Sequence, residues 1–84
     1  PGDMLRRLCA SKHLDLVRPK KLRAGNMLLI KFDNDPQHVA LVTTSHPYTS
    51  VVHACSRVGR VLEQNIPPEW LISAEFRFLG LSDA

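Results

Sequence analysis

Apolar positions recur with two different periods, one near the start of the chain and another through the rest. Met4, Leu5 and Leu8 fall at helical spacing while Arg6, Arg7 and Lys12 point elsewhere. This predicts a helix over Met4–His13 with Asp3 as its cap. Cys9 extends the stripe and reads as a small buried apolar residue. Leu14, Leu16 and Val17 follow before Pro19 closes the segment. The turn Leu22–Asn26 then leads into Met27–Phe32, a run so continuously apolar that it predicts a central strand buried on both faces. Gly25 and Asn26 suit the positive φ that such a turn requires.

From there the period shortens to two. Val39–Thr43 and Val51–Ala54 read as strands joined by a polar turn with His46 and Pro47, and Arg60–Gln64 as another. Asp33–Pro36 and Ser56–Gly59 are turns, and Pro67–Ile72 predicts a single helical turn with Trp70 packed on the sheet. Glu75–Leu79 alternates into a last strand with Phe76 and Phe78 on one face. The pattern predicts an α+β fold: one N-terminal helix, then a mostly antiparallel five-stranded sheet with hairpin connections throughout. Residues 1–84 form one domain or domain fragment, with helix and basic connector in 1–21 and sheet in 22–79.

Composition narrows the function classes. At 84 residues the chain is near the lower limit for an adequate core, and 44% apolar with 23% charged residues argues for a globular chain. The net charge is +3, and Arg18, Lys20, Lys21 and Arg23 supply much of the excess within six residues. That cluster favours an anionic partner or is simply a solvated connector. Few aromatics are placed to stack on bases, so nucleic acid is not the expected partner. No apolar run approaches the ~18 residues of a membrane span. Two cysteines make no disulfide framework. Cys9 with His13, and His53 with Cys55, lack the spacing of a zinc signature, and neither a metal nor another cofactor is expected. The chain begins Pro-Gly-Asp without a methionine, which suggests a processed product or a piece of something longer.

His13 and His46 lie at a predicted helix end and in a turn, where solvent exposure explains them. His38 and His53 are flanked by apolar strand residues, where a polar ring needs a hydrogen-bond partner. Paired strands would bring the two imidazoles onto neighbouring backbones, an arrangement suited to a general base and the group that orients it. Two unrelated sheet-rim histidines satisfy the same pattern. A nucleophile for that base is less evident. Cys55 shares a strand face with His53, but same-strand neighbours seldom have the geometry for proton transfer. Cys9 has only Arg6 and Lys12 nearby to activate it.

The order of these segments carries more. Arg23–Ile30, His38–Val42, Val51–Ala54, and then Trp70 followed by Ala74-Glu75-Phe76-Arg77-Phe78 together resemble the C-terminal half of the NlpC-type cell-wall peptidases. These are papain-like cysteine hydrolases that cut peptidoglycan stem peptides. The similarity spans about residues 22–79 and is strongest to the branch found in phages and gene-transfer particles. The resemblance implies that His38 pairs with the nucleophilic thiol and that His53 is the third triad member, orienting His38. The turn that usually reads Pro-Gly-Asp in the family is Ala24-Gly25-Asn26 here. No Asp-Cys-Ser-Gly-like nucleophile motif occurs, and neither Cys9 nor Cys55 occupies its place. The expectation is therefore a C-terminal piece that lacks the thiol and is inactive alone. Its substrate would be peptidoglycan peptide, outside the cytoplasm or in a phage particle. Such a piece would associate with the missing N-terminal part or with itself to cover a bare sheet face. The competing reading is a non-catalytic wall-binding or phage-tail assembly module that uses Arg18–Arg23.

Overall fold

The computed structural model describes residues 4–31, 38–55 and 58–80. The Asp3 cap, the Asp33–Pro36 turn, Phe32 and the first half of the Ser56–Gly59 turn lie outside the described residues. In chain order the elements are a helix α1 (Met4–Ala10) and strands β1 (Leu14–Leu16), β2 (Met27–Lys31), β3 (His38–Thr44), β4 (Ser50–Cys55), β5 (Arg60–Asn65) and β6 (Leu71–Phe78). All pairings are antiparallel, and the sheet order is β1-β6-β2-β3-β4-β5. The fold is α+β, with six strands where the sequence pattern predicts five.

The additional strand is β1, inside the segment expected to be a connector. Leu14, Asp15 and Leu16 pair with Phe78, Arg77 and Phe76. Three residues are too few for periodicity to register, and only the presence of β6 alongside makes them a strand. The same pairing ends α1 at Ala10 rather than His13, because the chain must turn over Ser11 to reach the sheet edge. Met4 and Leu8, four apart on α1, pack onto the sheet, whereas Cys9 is exposed, not buried. One residue past Leu8 is about 100° around the helix, which takes Cys9 off the buried stripe.

Among the described strands only β2–β3, β3–β4 and β4–β5 pair consecutively as hairpins. After β5, at one sheet edge, the chain crosses back and inserts β6 between β1 and β2. The expected helical turn at Pro67–Ile72 is this crossover: Pro67 accepts a hydrogen bond from the Trp70 amide, and Leu71 already begins β6. Strand β6 is longer than the expected Glu75–Leu79, and a register shift opposite Leu29 and Ile30 lets it follow β2 along its whole length.

As the sequence predicts, Met27, Leu28, Leu29 and Ile30 are all buried. They divide the core between two sheet faces. On one face Leu28 and Ile30 join Ala40, Val42 and Val51, with Leu22, Ile66, Trp70 and Ile72 laid over them. On the other, Met27 and Leu29 join Ala74 and Phe76 beneath Met4, Leu8, Leu14 and Leu16. Each large side chain so buried contributes about 1.5–3 kcal/mol.

A carboxylate ties the turn before β2 to β6. Glu75 is fully buried opposite Leu28. Its Oε1 accepts hydrogen bonds from the Lys21 and Leu22 amides at 2.6 and 2.8 Å, and its Oε2 from the Arg23 amide and Asn26 Nδ2 at 2.9 and 2.8 Å. Three consecutive N–H groups converge on one anion because Leu22 takes a positive φ of 54°, which makes the segment a nest. Burial pushes the Glu75 carboxyl up, but the bonds from Asn26 and the Leu22, Arg23 and Lys21 amides outweigh it and hold it below the ordinary carboxylate range. The basic segment thus already holds an anion through its backbone, while the side chains of Arg18, Lys20, Lys21 and Arg23 lie in exposed positions.

The turn itself depends on Gly25, which has a φ of +91°. Its amide donates to the Val42 carbonyl at 2.8 Å, anchoring the turn to β3. A Cβ at Gly25 would meet nothing within 4 Å, so Gly25→Ala should be penalised through its backbone alone. The expected loss is about 1–2 kcal/mol, read as a lower urea midpoint with an unchanged m-value.

Candidate functional site

Cross-strand register brings the two strand histidines together. Ile30 pairs with His38, and Ala40 pairs with both Leu28 and His53. Because side chains directly opposite one another share a face, His38, Ala40 and His53 all stand on the face that carries Leu28 and Ile30. His38 Nε2 lies 2.8 Å from His53 Nδ1, with the rings edge to face at 79° and their centroids 5.0 Å apart. His53 is 6% exposed, and His38, at the start of its strand, is half-buried. The gradient runs from a ring near solvent to a ring inside the protein.

Two further side chains complete the cluster, and sequence reasoning assigned neither to it. Gln64 sits on β5, which pairs with β4 through Val51–Gln64 and His53–Leu62. Its Oε1 is 2.8 Å from His53 Nε2, so both nitrogens of the buried imidazole are engaged. Trp70 stands nearly perpendicular to both rings, its ring centroid 5.0 Å from that of His53 and 6.0 Å from that of His38. It arrives there because the β5–β6 crossover runs over this face, and it packs on the sheet core as the sequence predicts. The alternation of β5 could have pointed to Gln64, since Leu62 and Gln64 lie on the same side as His53 once β4 and β5 pair. No local signal points to Trp70, because the crossover is a long-range choice.

The other candidate residues separate from this cluster. His13 and His46 are exposed. Cys9 belongs to α1, which packs on the opposite face against Met27, Leu29 and Phe76, so the sheet lies between it and the imidazoles. Cys55 is on the histidine face, half-buried at the end of β4 and paired with Arg60. Among the described residues α1 is the one helix and lies on the other face, so none of them supplies Cys55 with a helix N-terminus to hold an oxyanion. Among the described residues no three of His, Cys, Asp and Glu gather in a way that could hold a metal ion. No helix among the described residues is long and apolar enough to cross a membrane.

No family model, curated protein or solved structure matches this chain. What the site can do rests on its own geometry. Two imidazoles in direct contact, the inner one held at both nitrogens and shielded by an indole, can accept a proton at the outer ring and stabilise the resulting cation. That is the equipment of a general base with its orienting group.

Proposed function

We propose that this chain is the base-bearing part of a papain-like cysteine hydrolase acting on peptidoglycan stem peptides. His38 serves as the base and His53 as the group that orients it. The observation that carries the reading is the 2.8 Å contact between His38 Nε2 and His53 Nδ1 beneath Trp70. It is the contact that the NlpC-type resemblance requires of these two positions. The antiparallel sheet with both histidines on adjacent strands supports the same assignment, as does the turn at Gly25 leading into the buried strand β2.

In this reading Nε2 of His38 faces His53, so Nδ1 is the nitrogen that takes the thiol proton. The thiolate attacks the peptide carbonyl, and the imidazolium then protonates the leaving amine. Water, activated by the same imidazole, hydrolyses the thioester. Cys9 and Cys55 are both poorly placed to attack, so the nucleophile comes from a segment outside these 84 residues.

Purified peptidoglycan provides the test. Protein expressed from the complete reading frame that contains these residues should release new amino termini from stem peptides, sensitive to iodoacetamide, whereas the 84-residue chain alone should not. Iodoacetamide-sensitive cutting by the short chain would return the role to Cys55 or Cys9. Absence of thiol-dependent cutting by the longer protein would remove the hydrolase reading. Retention of the polymer without cutting would instead favour a wall-binding module, for which the exposed Arg18 and Lys20, bordering a hollow of about 320 Å³, provide a basic surface.

A further inference from the structure

We infer that Gln64 is a positioning residue: its side-chain oxygen, against His53 Nε2, sets which nitrogens of both His53 and His38 carry protons. Two 2.8 Å contacts run in series, Gln64 Oε1 to His53 Nε2 and His53 Nδ1 to His38 Nε2. An amide oxygen accepts and cannot donate, so His53 Nε2 must carry the hydrogen. A neutral imidazole has only one N–H, and His53 Nδ1 is therefore an acceptor. His38 Nε2 must then be the donor to it, and neutral His38 holds its lone pair on Nδ1. One amide on the edge strand β5 thereby dictates the basic nitrogen two residues away in the chain of contacts.

The reverse amide orientation shows what depends on this. An amide N–H donating to His53 Nε2 would move the His53 proton to Nδ1, which would donate to His38 Nε2. His38 would then carry its proton on Nδ1, and an approaching thiol would meet an N–H instead of a lone pair. The same series of bonds also serves the charged state. When His38 takes up a proton, its Nε2–H bond to His53 becomes charge-assisted and strengthens, while Gln64 keeps the His53 acceptor lone pair aimed at the cation. Gln64 does this without adding a charge of its own beside the two rings. The catalytic value of this role rests on the hydrolase reading proposed above; the proton placement does not.

Long-range ¹⁵N–¹H correlation spectra of the ring nitrogens read the tautomers directly, at about pH 8.5, where ordinary imidazoles are neutral. In the native protein both His53 and His38 should show a protonated Nε2 and an unprotonated Nδ1. In Gln64→Leu the His53 nitrogens should move from these extremes toward averaged positions, and those of His38 should follow. Gln64→Glu, which keeps an acceptor oxygen, should retain the native pattern. A native His53 protonated on Nδ1 overturns the inference without any variant. So does a folded Gln64→Leu whose ring nitrogens do not move. Because no substrate enters this measurement, the hydrolase reading and the Gln64 inference can fail separately.

Discussion

Replacing Glu75 by glutamine should destabilise the protein by about 3–5 kcal/mol, although no apolar contact is lost. The carboxylate uses Oε1 for the Lys21 and Leu22 amides and Oε2 for the Arg23 amide and the Asn26 side chain. A glutamine can reproduce one of those oxygens. Its NH₂ group must then face at least one backbone N–H that cannot turn away: the Arg23 amide if Asn26 rotates to present its Oδ1, or the Lys21 and Leu22 amides on the other side. Each hydrogen bond to a charged group is worth about 1.5–3 kcal/mol, and a buried donor left unpaired costs comparably. Against a total of about 5–15 kcal/mol for a native domain, the loss is large enough to read as a marked drop in the urea midpoint at neutral pH.

The same residue predicts an acid dependence of definite sign. The folded pKa of Glu75 is depressed relative to the unfolded chain, where a glutamate titrates near 4.3. Its stabilisation is therefore complete above that pH, declines as pH falls toward the folded pKa, and is gone below both. Urea titrations from neutral pH into acid should show the native protein losing stability in this window, with the Glu75→Gln protein losing less. Parallel acid profiles for the two proteins would mean that Glu75 is not ionised in its nest.

The second large effect concerns the imidazole pair. On the hydrolase reading proposed above, His38→Ala in a longer protein that supplies the thiol should reduce kcat/KM by about 10³–10⁴, the loss associated with a missing general base. His53→Ala should cost less in catalysis, about 10²-fold, because the base remains and only its orientation and the support of its charged form are lost. It should cost more in stability than His38→Ala, since His53 is buried and its removal leaves Gln64 Oε1 without its partner. His53→Asn, which can still accept from His38, should recover part of the activity. Steady-state turnover of a soluble stem peptide, alongside urea midpoints for the three variants, separates the two roles. Equal catalytic losses at both positions would argue that they act as a single unit rather than as base and orienter.

How legible this site was in the chain differs from residue to residue. His38 and His53 stood out because polar rings among strand-forming apolar residues demand partners, and their strands were the adjacent, hairpin-linked ones. Gln64 was hidden in an ordinary polar alternation, because its meaning depends on the register of β4 against β5. Trp70 was legible as a packing residue but not as a neighbour of the imidazoles. In the sequence Glu75 is one member of an alternating strand. Its four donors come from residues about fifty positions earlier in the chain, and no window of sequence joins them. Cys9 departs from its apolar pattern because Met4 and Leu8 alone define the packed stripe of so short a helix.

Periodicity and turn chemistry were sufficient for the strands β2 to β5, the burial of Met27–Ile30 on both sides, the positive φ at Gly25 and the placement of the two histidines on neighbouring strands. Each is a property of residues close in sequence, where the choice between solvent and core is written in the side chains themselves. The tertiary structure alone decided the sixth strand, the insertion of β6 between β1 and β2, the passage of Trp70 over the histidine face and the capture of the basic segment by Glu75. These depend on which distant segments meet. That choice is made by the cost of leaving a sheet edge, an apolar face or a carboxylate unpartnered, a sum over the whole fold that no local pattern records.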